Sequence, residues 1–127
     1  MLYNALIRTH HITSRKKVAV LKRAADTYNC FVLLRTGGCP GIMYVEGRSA
    51  DDVGSWVSTV RNLRYKDFQL ATRPAPLVRE KSVSGKGDDE LEPEPGVTEV
   101  ESVKEFGALM EERGLWGWWR KGMGYSS

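Results

Sequence analysis

The sequence predicts a small α+β sandwich, with four strands and two helices in the order βαββαβ, followed by one more helix and an aromatic tail. Three observations carry that prediction. Residues 13–29 and 49–63 repeat apolar side chains at helical spacing, and each stretch lies between two runs that alternate or cluster apolar residues as strands do. Between the two halves, Gly37-Gly38-Cys39-Pro40-Gly41 joins two such runs through turn residues alone, which is most simply a hairpin. At 127 residues, 41% hydrophobic and 28% charged, the chain has the size and composition of one domain with a modest core.

The first strand is read over residues 2–12. Alternation puts Ala5, Ile7, Thr9 and His11 on one face and Leu6, Arg8 and His10 on the other, and the face without Arg8 is the better core face. Thr13 or Ser14 caps the first helix. Val18, Leu21, Ala25 and Tyr28 form its apolar stripe, Arg15, Lys16, Lys17, Lys22 and Arg23 surround its polar side, and Asn29 stops it. Residues 30–36 form the second strand, and Ile42-Met43-Tyr44-Val45 the third, ended by Gly47. Ser49 caps a second helix with Asp51 and Asp52 in its first turn, where the helix dipole favours carboxylates, and Val53, Trp56, Val57 and Val60 face inward. Residues 67–73 alternate as a fourth strand, which Pro74 and Pro76 end.

With each helix between two strands, residues 1–76 read as a ferredoxin-like βαββαβ sandwich: a four-stranded antiparallel sheet, both helices on one face, the first and third strands central. Met43 then faces the core and Tyr44 the face without helices. Residues 77–98, rich in Glu, Asp, Ser, Gly and Pro, read as an acidic flexible linker. In residues 99–127, Ser102-Val103-Lys104-Glu105 is a capping box, Phe106, Leu109 and Met110 give a third helix one apolar face, and Gly114 ends it. Trp116, Trp118, Trp119 and Tyr125 follow, interleaved with Arg120 and Lys121. Large aromatic side chains usually find burial, so this tail is read first as packing on the domain's own sheet, with a partner protein or stacking on RNA as alternatives.

The net charge of +3 hides an asymmetry. Residues 1–81 carry 14 Lys or Arg against 6 Asp or Glu, whereas residues 82–113 carry 3 against 10. A basic domain followed by an acidic segment points to a polyanion partner, most often nucleic acid. Arg8, Arg15, Lys16, Lys17, Arg35, Arg64 and Lys66 come from strand edges and helix ends that this fold gathers near one side, and Tyr44 could offer a ring to an exposed base. No run approaches the ~20 apolar residues of a membrane helix, and the first residues lack the layout of a signal peptide, so the expected location is intracellular, nuclear or cytoplasmic.

No catalytic constellation stands out, and no enzyme, metal or cofactor is expected. The glycine turn precedes a strand, whereas a phosphate-cradling loop precedes a helix and carries Lys-Ser or Lys-Thr. Cys30 and Cys39 form no CxxC pair and read as reduced thiols. Adjacent strand residues point to opposite faces, so His10 and His11 should not reach one metal ion.

An ordered set of residues carries a resemblance. His10-His11-Ile12-x-Ser14, then Gly38-x-Pro40-Gly41-Ile42-x-x-Val45-Glu46-Gly47, Trp56, Leu63-x-Tyr65-Lys66 and an Arg at the end of the fourth strand resemble the C-terminal domain of pre-mRNA-processing factor three. The same domain follows the RWD domain in a set of eukaryotic proteins. The resemblance spans residues 1–73 and extends loosely to the C-terminal helix, and by it the chain looks like a stand-alone member. It implies a ferredoxin-like fold and contact with RNA, by analogy small nuclear RNA at a junction of double and single strand, near His10, His11, Lys16, Lys17 and Tyr44. The expected function is a non-catalytic RNA-binding module using a basic surface and the sheet face. The alternative is a protein-interaction adaptor docking through that face or through Trp116, Trp118, Trp119 and Arg120.

Overall fold

Caps and apolar stripes place the two leading helices where the sequence puts them. In the computed structural model, which describes residues 1–80 and 94–125, β1 (Tyr3–Thr9) leads into α1 (Arg15–Thr27), whose N-cap Ser14 accepts a hydrogen bond from the Lys17 amide. Then come β2 (Phe31–Arg35), β3 (Gly41–Gly47) and α2 (Ala50–Asn62), capped by Ser49 on the Asp52 amide, and β4 (Gln69–Pro76). β1, β2, β3 and β4 pair antiparallel in the order β4-β1-β3-β2, with β1 and β3 central as expected. α1 and α2 cover one face, burying Val18, Leu21, Val53, Trp56 and Val60 against Ala5, Ile7, Val32, Leu34, Met43 and Val45.

Three features depart from expectation. β4 runs through Pro74 to Pro76 instead of stopping before them. It is an edge strand bonded only to β1, so a proline can turn its bond-less nitrogen away from the ladder. A fifth strand, β5 (Gly96–Val100), adds to β2 in parallel, so the linker read over residues 77–98 loses residues 96–98 to the sheet. Residues 77–80 are also pinned, because Leu77 donates to the Leu2 carbonyl and Glu80 to that of Gly114. The rest of that linker, residues 81–93, lies outside the described residues. Finally, the tail is helical. After α3 (Val103–Glu112), with its capping box at Ser102 and Glu105, α4 spans Trp116–Met123. The described chain is therefore α+β, with a five-stranded mixed sheet and four helices.

α3 and α4 lie on the second face of the sheet. Phe106, Met110, Leu115, Trp119 and Met123 pack there against Leu6, Leu33, Ile42 and Tyr44. Every residue of β3 is buried in consequence. The tail thus packs on the chain's own sheet, the first of the three readings. Trp119 stacks on Phe106 at 5.9 Å between centroids and Trp118 meets the Tyr44 ring edge-on at 5.6 Å, whereas Trp116 is 42% exposed.

One charged group sits inside this second layer. Glu46 on β3 is fully buried, and the Arg113 guanidinium at the end of α3 grips it with both arms, at 3.1 and 2.7 Å. Arg79 approaches the same carboxylate at 3.7 Å and donates to the Arg113 carbonyl at 2.6 Å. The Tyr44 hydroxyl donates to Glu46 at 2.6 Å and accepts from Asn4 at 3.3 Å. A buried carboxylate with such partners is satisfied, but its cations become uncompensated buried charges if it is removed. Glu46→Gln should therefore lower stability by roughly 3 kcal/mol in urea denaturation, with tryptophan emission shifting at the lower midpoint as Trp118 and Trp119 lose their cover. A change below about 0.5 kcal/mol would show that the ion pair does not hold the second layer.

Candidate nucleic-acid interface

The loops at the C-terminal end of β1 gather most of the predicted basic residues. β1 stops at Thr9, and His10 is held by two main-chain bonds: its amide donates to the Lys66 carbonyl at 2.9 Å, and its carbonyl accepts from Gly41 at 2.8 Å. The first bond draws in the α2–β4 loop with Arg64 and Lys66, which are exposed. Arg64 and Asp67 both adopt left-handed backbone, φ 56°, which makes this loop a tight reversal. The first turn of α1 brings Lys16, exposed, and Lys17, whose ammonium lies 4.9 Å from the centre of the Tyr65 ring. Burial pushes the Tyr65 phenol up to about 12, so its ring stays neutral beneath that cation.

Other predicted cations hold the fold together. Arg35 donates from Nε to the Glu101 carbonyl at 2.8 Å and from Nη1 to the Pro40 carbonyl at 3.0 Å, which clips the exit of β5 to the glycine turn. Arg8 is half-buried and donates to the Met123 carbonyl at 3.4 Å, under the end of α4. Arg15 makes a two-armed pair with Glu99 of β5 at 2.8 and 2.9 Å, and Lys22 reaches the same carboxylate at 3.6 Å. The bond from Arg15 holds the Glu99 carboxyl below the ordinary carboxylate range, and its charge and that of Lys22 act in the same direction.

Tyr44 is a correction. It was expected on an open face, but it is fully buried under α4, and its hydroxyl belongs to the Glu46 network. Desolvation, and then the neighbouring Glu46 charge, drives its pKa well above the ordinary phenol value, so it remains a neutral packed ring. Bases cannot stack on it, and the sheet face offers no surface to RNA or to a partner protein, because α3 and α4 occupy it. Of the tail residues, Trp118 and Trp119 are packing groups, while the Arg120 guanidinium lies 4.9 Å from the Trp116 ring.

The two histidines are a second correction. They lie beyond the last residue of β1, so strand alternation does not separate them, and their rings meet edge-on at 4.2 Å between centroids. Cys39, from the glycine turn, stands beside them. Close approach at Gly41 makes this possible: a Cβ there would fall 2.3 Å from Thr9 Oγ1 and 2.7 Å from Ile12 Cγ1. Only a glycine lets the turn lie this close against residues 9–12.

Two working groups carry no direct signal in the sequence. Arg79 and Glu80 sit in a stretch that reads as linker, yet Glu80 receives the Gly117 and Trp118 amides and so caps α4, whose own N-cap, Leu115, offers no side-chain bond. Glu46, a lone carboxylate in an apolar strand, was the available clue to a buried partner.

No protein-family model matches the chain, and no curated protein sequence matches it. Among the described residues, no helix is long and apolar enough to cross a membrane. The class that stands is structural: an α+β domain whose mixed sheet carries helices on both faces, with a basic loop cluster at one end.

Two measurements test this geometry. Gly41→Ala should cost about 1–3 kcal/mol through overpacking against Thr9 and Ile12, read as a lower thermal midpoint, and an unchanged midpoint would refute the close approach. Because its pKa is depressed by folding, Glu99 contributes stability at neutral pH that is lost as the pH falls through its folded value. In an NMR pH titration it should titrate below the ordinary ~4.3 and return towards it in Arg15→Gln.

Proposed function

We propose that this chain is a non-catalytic RNA-binding module, a ferredoxin-like domain of the kind the splicing-factor resemblance implies, and that it binds through the basic loop end instead of the sheet. One observation supports the reading most: Lys16 and Lys17 in the first turn of α1, and Arg64 and Lys66 in the α2–β4 loop, lie at the same end of the domain as His10 and His11, tied there by the Lys17–Tyr65 contact and the His10–Lys66 main-chain bond. Point charges on long stems suit backbone phosphates, which give affinity with little sequence preference. His11, exposed, can donate to a phosphate or a 2′-hydroxyl, and a junction of double and single strand offers both. With Tyr44 enclosed, stacking contributes little, so recognition rests on backbone shape and charge.

The test is a fluorescence titration of a short RNA stem carrying a single-stranded overhang, at two salt concentrations. Micromolar binding should weaken steeply with salt, with the logarithmic slope falling by about 0.7–0.9 for each phosphate contact removed. Replacing Lys16 and Lys66 together by Ala should weaken binding about tenfold and flatten that slope by more than one. No binding at ~50 mM salt, or a double variant that binds as the parent does, would overturn the reading.

A further inference from the structure

Cys39, His10 and His11 come from two chain segments some thirty residues apart, yet one ligand atom from each lies within 4.8 Å of the others. Two imidazoles and a thiol are the donors that borderline-soft divalent ions take in proteins. In a tetrahedral zinc site with bonds of about 2.0–2.3 Å, neighbouring donors stand roughly 3.3–3.8 Å apart. His11 and Cys39 are exposed and can turn the small remaining distance. The backbone beneath them is fixed: His10 is bonded on both sides, to Lys66 and to Gly41, and Gly41 seats the turn that carries Cys39. Fixed backbone with mobile tips is what a surface metal site requires.

We propose that His10, His11 and Cys39 bind one zinc-class divalent ion. The three residues supply three ligands and leave a fourth position to solvent, beside the cleft that His10 and Cys39 help to line. The donor set of two neutral imidazoles and one thiolate leaves the bound ion with a single positive charge. The site closes the β2–β3 turn onto the end of β1 and gives the glycine-rich stretch a role beyond turning the chain. It needs no nucleic acid, and its test is independent of RNA binding.

Cobalt(II) is the probe, titrated into the untagged full chain under reducing conditions. A thiolate-to-cobalt charge-transfer band in the near ultraviolet should grow to one ion per chain, and zinc should bleach it by displacement. Cys39→Ser should abolish the band. Cys30→Ala should keep it, because the Cys30 thiol is buried and desolvation pushes it up to about 12. His11→Gln, a change at an exposed side chain, should weaken cobalt affinity at least tenfold while leaving the metal-free thermal midpoint unchanged. Absence of the band at saturating cobalt, a band that persists in Cys39→Ser, or undiminished affinity in His11→Gln would each overturn the site. One ion per two chains, with a dimer in sedimentation, would overturn it too.

Discussion

The buried Glu46 carboxylate is the constraint on which the second half of the structure depends. A charge with no exposure in the centre of a sheet is costly unless cations and hydrogen-bond donors surround it. Here the donors come from three places that are distant in sequence. Tyr44 lies on the same strand, Arg113 ends α3, and Arg79 follows the last strand of the βαββαβ unit. Satisfying one carboxylate therefore fixes where α3 ends and where the chain leaves β4. Arg113 also lies 4.1 Å from the Phe31 ring, so the same guanidinium packs on β2.

That arrangement decides which surfaces are free. The helices brought in by Arg113 and by the Glu80 cap of α4 turn a sheet with one covered face into a three-layer structure. Phe106, Trp119 and Met123 bury the face on which Tyr44 lies. Gly107 takes part, since a Cβ at that position would stand 2.9 Å from the Trp119 ring. The loop end stays uncovered by these helices, and there backbone reversals at Arg64 and Asp67 and the close approach at Gly41 set side chains on short, well-anchored loops.

The βαββαβ core was legible because its signals are local. Ser14, Ser49 and Ser102 cap the helices they precede, and the stripes at Val18–Leu21–Ala25 and Val53–Trp56–Val60 give their buried faces directly. The strand at β5 was not legible: Gly96–Val100 carries too few apolar residues to stand out from the acidic residues before it, and it is a strand because β2 offers it an unpaired edge. The helix α4 was equally hidden, since Leu115 is a poor cap and the compensating carboxylate, Glu80, is 37 residues from the Gly117 amide that it accepts. At the candidate site, Lys16, Lys17, Arg64 and Lys66 were legible as charge, whereas the burial of Tyr44 and the engagement of Arg35 were not, because both depend on elements that arrive late in the chain.

By itself, then, the sequence determined the first three helices, the four antiparallel strands, the hairpin at residues 37–41 and the basic character of the first 81 residues. Each of these follows from periodicity, capping or composition within a short window. Only the tertiary structure decided that Glu46 joins Arg113 and Arg79, that the tryptophans close the second face, and that Cys39 stands beside His10 and His11. The physical reason is the same in all three. Burial, ion pairing and convergence of ligands are properties of residues far apart in the chain, and they exist only once the backbone has brought those residues within a few ångströms of one another.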